Sequence, residues 1–180
     1  KAVQAEKAAN AADNSLTTEQ RKEKEKAVDA AKTAEEAKIT EAENADKVAE
    51  AKTAGVKAVE GVHTPGDLET VKAAAKADLE KAAAAEKAEI AADKSLTEAE
   101  RKEKETAVDT KKAEEEAKIT AAENADKVAE AKTAGEAAVK AVHTPGNLDT
   151  VKEEAKTAVD AALAEKEKAI EDALEHFGMI

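Results

Sequence analysis

The sequence predicts an all-α fold, tandem three-helix bundles arranged end to end as an elongated rod, and three observations carry that expectation. The first is repetition. Ser15-Leu16-Thr17 returns as Ser95-Leu96-Thr97 and His63-Thr64-Pro65-Gly66 returns as His143-Thr144-Pro145-Gly146, both at an offset of 80 residues with no insertion between them. Fixed-period self-similarity of that kind marks an array. The second is composition: Ala, Glu and Lys dominate, Gly and Pro together number 6 and 2, and aromatics are 1%, so the intrinsic preference is helical nearly throughout. The third is apolar spacing at alternating steps of three and four, which places a buried stripe on each helix.

The period divides the chain into 1–66 (a first repeat without a counterpart of 67–80), 67–146 (a complete repeat) and 147–180 (the first helix of a third repeat, or a capping helix). In the complete repeat a first helix begins at Asp67, whose carboxylate can cap the free N–H groups of the first turn, and runs to about 93. Lys94-Ser95-Leu96 interrupts it. Thr97-Glu98-Ala99-Glu100 has the form of a capping box and opens a second helix to about 123. Asn124-Ala125-Asp126 supplies cap-type residues for a reversal, and a third helix then runs from 126 to 142. Thr144-Pro145-Gly146 stops it, because Pro drives its predecessor out of helical geometry and Gly accepts a positive φ.

In the third helix Val48, Ala51, Gly55, Ala58 and Val62 form a seam that Val128, Ala131, Gly135, Ala138 and Val142 repeat. Gly at the centre of a seam points to close backbone approach. On the first helix the stripe is Leu68, Val71, Ala75, Leu79, Ala82 and Ile90. At a rise of 1.5 Å per residue the first two helices would be ~40 Å long and the third ~26 Å. The third then leaves its partners partly uncovered, which predicts a spectrin-like remedy: the first helix of each unit is shared across the junction, its early part on the preceding unit. In 147–180, Leu163, Ile170, Leu174 and Phe177 stand where the earlier copy has Ala83, Ile90, Lys94 and Thr97. That stripe reads as a capping helix, as a seam awaiting a next unit, or as a partner-binding helix.

Charge narrows the function classes. A formal net charge of −12 sets the chain against nucleic-acid phosphates and anionic membrane surfaces, so no nucleic acid is expected as a partner. No apolar run approaches the ~18 residues of a spanning helix, so no membrane insertion is expected in this segment. The absence of cysteine excludes disulfides and thiolate metal sites. The expected state is a monomer whose partners are its own neighbouring repeats.

No residue set argues for chemistry, and no catalytic, cofactor-binding or metal site and no cofactor is expected. His63, His143 and His176 have no second His or Cys at ligand spacing; His63 and His143 read as helix-terminal residues near the negative end of the dipole rather than as a pH-sensitive joint. Glu35-Glu36 and Glu114-Glu115-Glu116 read as solvated faces, since calcium loops need an irregular Gly-containing segment. Ser15 and Ser95 precede helix starts and read as turn residues. Gly55 and Gly61 lack the Lys and Ser or Thr of a phosphate loop.

The run Leu96-Thr97-Glu98-Ala99-Glu100-Arg101-Lys102-Glu103-Lys104, then Ala107-Val108-Asp109, then Asn124-Ala125-Asp126-Lys127-Val128-Ala129-Glu130-Ala131-Lys132-Thr133-Ala134-Gly135, resembles the alanine-rich "domain of unknown function" repeat of large cell-wall-anchored surface proteins of Gram-positive bacteria. The resemblance recurs once per period over nearly the whole chain. It implies an extracellular, non-enzymatic stalk that projects a distal adhesive domain from the cell wall, in some members linked to adhesion or biofilm formation. The competing expectation is a helical module that recognises a host protein such as an immunoglobulin, serum or matrix component. Against it stands the scarcity of Trp, Tyr and Arg, the residues that dominate interface hot spots; Arg21 and Arg101 are the only arginines.

Overall fold

Seven α-helices and no strand make up the computed structural model, which describes residues 1–180. They are α1 (Ala2–Ala12), α2 (Thr18–Thr40), α3 (Ala45–Glu60), α4 (Leu68–Ala92), α5 (Glu98–Ala121), α6 (Ala125–Lys140) and α7 (Leu148–His176). The starts are set by side-chain caps. Asp67 accepts from the Glu69 N–H, Asn44 and Asn124 accept from the N–H groups of Lys47 and Lys127, and Thr17 and Thr97 form capping boxes with Gln20 and Glu100. Each cap satisfies a first-turn donor that the helix ladder leaves free.

Two groups of three helices result. α1, α2 and α3 pack on one another, and so do α4, α5 and α6. The second group encloses a core of Ala75, Leu79, Ala83, Ile90, Val108, Ile119, Ala122, Val128 and Val139. On α4 the buried series is Ala75, Leu79, Ala83, Glu86 and Ile90, so Ala83 and not Ala82 faces inward. On α6 it is Ala125, Val128, Gly135 and Val139, and on α3 it is Gly55 and Val59. The seam therefore passes through Val59 and Val139 where the sequence pattern suggested Ala58 and Ala138. The larger side chain wins because it removes more apolar area from water.

The expected helix shared across the junction does not form. α3 ends at Glu60 and α4 starts at Leu68, and α4 is buried along α5 and α6 from Ala75 to Ile90. The Lys72 ammonium reaches the Thr120 carbonyl at 2.9 Å, so the second turn of α4 already lies beside the end of its own α5. What the short α6 leaves uncovered is filled by the extended segment after it. His143 in that segment is held against α4 by Glu86 and Asp93, so the unit closes on itself without borrowing from its neighbour.

Gly135 shows why that closure needs a small residue. A Cβ there would lie 3.0 Å from Cβ of Glu115 and 3.4 Å from Cδ1 of Leu79; at Gly55 it would lie 2.9 Å from Cβ of Glu35. Backbone approach is thus set by the root of a glutamate. Glu115 is buried, contrary to the solvated face expected of it, with one oxygen on Lys118 at 2.7 Å and Oε2 without a partner.

α7 stands apart. It has no buried residue and packs along no other helix. Val159, Leu163 and Ile170 are among the most exposed large apolar side chains in the chain. No helix is long and apolar enough to cross a membrane.

Candidate functional site

Two polar constellations organise the molecule, one closing each helix group and one joining the groups. The closure begins with the Asp that ends the first helix of each unit. Asp93 is the C-cap of α4, and its carboxylate accepts from the Ser95 N–H at 2.8 Å and the Ser95 hydroxyl at 2.5 Å through Oδ1. Through Oδ2 it meets His143 Nε2 at 2.8 Å and accepts from the Gly146 N–H at 3.0 Å. Asp13 repeats the set with Ser15, His63 and Gly66, at 2.7 Å to the His63 ring and 3.1 Å to the Gly66 N–H. A second carboxylate completes it: Glu86 accepts from the backbone N–H of His143 at 3.0 Å, and Glu6 from that of His63 at 2.6 Å.

Both histidines are buried, as are Glu6 and Glu86. They lie beyond the ends of α3 and α6, in the non-helical stretches that follow, not on a helix terminus. The Gly146 N–H, the Ser95 hydroxyl and N–H and His143 hold the Asp93 carboxyl well below the usual carboxylate range. At Asp13 burial pushes the other way, but Ser15, His63 and the Gly66 N–H outweigh it.

The turn glycines have a steric cause. Neither Gly66 nor Gly146 has a positive φ, the property expected of them; only Gly178 does, at 67°. A Cβ at Gly146 would stand 2.2 Å from the Ser95 hydroxyl oxygen, and one at Gly66 would stand 2.1 Å from that of Ser15. The serine occupies the space a side chain would need.

Ser, Asp and His thus come together, which their separation in sequence concealed. The order is wrong for nucleophilic catalysis. A serine nucleophile must give its proton to the His ring, but here the aspartate stands between them and Ser95 donates to Asp93. The signal that could have found this closure was the joint recurrence of Glu6, Asp13, Ser15 and His63 as Glu86, Asp93, Ser95 and His143. The fold brings no group of three or more His, Cys, Asp or Glu together in a metal-ligating arrangement.

The second constellation is the joint. The α1–α2 turn of the first group meets the start of α6. The Ala125 N–H, a first-turn donor of α6, gives its hydrogen bond to the Asn14 carbonyl at 2.8 Å. In return the Asp126 carboxylate accepts from the Thr18 N–H at 3.0 Å and the Thr18 hydroxyl at 2.6 Å, with Arg21 at 3.5 Å. Two helix N-termini cap each other, one by a carbonyl and one by a carboxylate. The Thr18 hydroxyl, then its N–H, lower the Asp126 carboxyl against a small opposing effect of burial. Alongside lies a groove of about 230 Å³ where Ser15 and Thr17 face Val71 and Ala75 of α4 and Val128 of α6.

One comparison bears on this arrangement. The family model of a Domain of Unknown Function (DUF1542) matches residues 71–147. That stretch takes in α4 from its first turn, α5, α6 and the His143 closure, which is one helix group. No curated protein and no solved structure matches the chain.

Proposed function

We propose that the chain is a spacer: repeats that extend a bacterial surface protein as a stalk and carry a distal adhesive domain away from the cell wall. The joint carries the reading. Asn14, Thr18 and Arg21 on one group and Ala125 and Asp126 on the next are backbone-anchored at helix ends, so they join units end on and leave the helix flanks free. Repetition of that contact adds length at a fixed increment, as in other solenoid-like arrays. The net charge of −12 keeps neighbouring stalks apart. The DUF1542 match supports the same reading, since the sequence resembles repeats of Gram-positive surface proteins, and the proposal accordingly includes an extracellular, cell-surface location.

Small-angle scattering tests the proposal directly. The expected profile is that of an elongated particle with a cross-section of one helix bundle, and a serum pull-down should retain no stoichiometric partner. A compact profile would end the spacer reading. A single saturable serum ligand would favour the helical module that recognises a host protein.

A further inference from the structure

Asp93 ends α4, and what it holds decides how force travels through a unit pulled at its two ends. Within 67–146 the chain enters at the start of α4 and leaves after α6. These two helices run side by side in the same direction: Val71 and Ala75 share one groove with Ala125 and Val128, and Asp93 meets His143 at the other end. The point of exit is thereby tied to the end of α4. Asp93 Oδ2 accepts from the Gly146 N–H at 3.0 Å and meets the His143 ring at 2.8 Å, while Glu86, about two turns earlier on α4, accepts from the His143 N–H at 3.0 Å. The Asp93 contacts join positions 50 and 53 apart in sequence, so residues 94–142, with all of α5 and α6, form a loop closed at its neck. The His143 and Asp93 side chains are 1% and 7% exposed, and away from water their bonds keep the strength of a low-dielectric setting.

Asp13 makes the same short cut in the first group, with the His63 ring at 2.7 Å and the Gly66 N–H at 3.1 Å. Asp67 alone separates Gly66 from α4, and Asn147 alone separates Gly146 from α7. The first helices therefore follow one another, α1 to α4 to α7, through two carboxylates. We infer that the Asp–His–Gly closure is a tension clip: it passes a pull from one first helix to the next and keeps the other two helices of each unit out of its path. The inference rests on the spacer reading, because an adhesive tip held at a distance is what would pull the chain. α4 has 25 residues and spans about 38 Å, and the unit keeps that length until the clip lets go. Unfolding then frees about 230 Å, the extended span of the 80-residue period at about 3.4 Å per residue less the length of α4.

Optical tweezers on the whole chain test this. The protein has no cysteine, so pairs of introduced thiols are unique handles. Glu69→Cys with Asp149→Cys pulls across the clip and leaves the joint between the groups outside the pull; Glu98→Cys with Ala121→Cys pulls along α5 and leaves the clip outside it. All four positions are exposed. Asp93→Ala should speed rupture at a fixed force by about tenfold in the first geometry, the factor that loss of one charge-assisted hydrogen bond allows, and by less than about twofold in the second. Ser95→Ala is the control. Ser95 donates to Asp93 from the turn, outside the path, so its loss should lower the thermal midpoint yet leave rupture across the clip close to the wild-type rate. Circular dichroism checks folding; where Asp93→Ala does not fold, Asp93→Asn, which offers an acceptor on one side only, should act in the same direction.

An unchanged rate across the clip, equal acceleration by Asp93→Ala in the two geometries, or acceleration by Ser95→Ala as large as that by Asp93→Ala would each overturn the inference, since the closure would then be a stabilising contact like any other. The spacer reading survives all three, because it rests on the joint between the groups and is tested by the shape of the particle when nothing pulls on it.

Discussion

Asn10 and Ile90 occupy equivalent places in the two helix groups, and exchanging one for the other measures what a polar group costs in this core. Both are fully buried. Leu96, Val108, Val139 and Val142, packed in one cluster with Ile90, have the same residue types 80 positions earlier at Leu16, Val28, Val59 and Val62. Asn10 donates through Nδ2 to the Arg21 carbonyl at 2.9 Å, but its Oδ1 is buried without a partner. An unmet buried acceptor costs about 1–3 kcal/mol and the bond to Arg21 contributes about 0.5–1.5 kcal/mol. These two roughly cancel. Burying an isoleucine side chain contributes about 1.5–3 kcal/mol more, and a compact unfolded chain trims that by up to about 40%. Asn10→Ile should therefore stabilise the first group by about 2 kcal/mol, and Ile90→Asn should destabilise the second by at least as much. At a urea dependence of about 1–3 kcal/mol per M, the unfolding midpoint of the altered group should move by about 1 M. Circular dichroism reads the midpoint, and hydrogen exchange of peptides from α2 or α5 reports which group moved. An Asn10→Ile protein whose α2 amides exchange as fast as, or faster than, those of wild type would refute the reasoning.

Three further outcomes are expected. Asp13 and Asp93 are held below the ordinary carboxylate range when folded, so their contribution is present above the unfolded value of about 3.9 and is lost as pH falls through the depressed folded values; thermal midpoints should drop below about pH 4, and the drop should be smaller in Asp13→Asn/Asp93→Asn protein. Gly146→Ala places a methyl group on the Ser95 hydroxyl and should lower stability by about 1–2 kcal/mol through lost hydrogen bonding, with Ser95→Ala adding little on top in a double-mutant cycle. Asp126→Ala removes the carboxylate that Thr18 and Arg21 share; scattering should show a bent, more variable particle, with helical content unchanged by circular dichroism.

Local signals in the chain fixed the helices closely. The caps at Asp67, Thr97 and Asn124 needed only a short polar side chain followed by helix-forming residues, and α4, α5 and α6 begin within a residue of those caps. Helix ends were less legible. α5 stops at Ala121 and α6 at Lys140, each two residues before the expected bound, where the chain must turn to bring Asp126 and His143 to their partners. The same limit applies to the buried faces: a run as rich in alanine as 81–92 offers several stripes of similar hydrophobicity, and only the neighbouring helices select Ala83 and Glu86 over Ala82.

The sequence by itself determined that this is an all-helical array, because repetition, capping and helix propensity act over a few residues and are written where they act. Only the tertiary structure decided that each unit closes on its own His and Asp, that the turn glycines make room for serines, and that the joint is two helix ends capping one another with no helix running through it. Those contacts join residues some 50 to 110 positions apart. Their energy comes from removing carboxylates, hydroxyls and amide donors from water together, and that coincidence in space has no local trace along the chain.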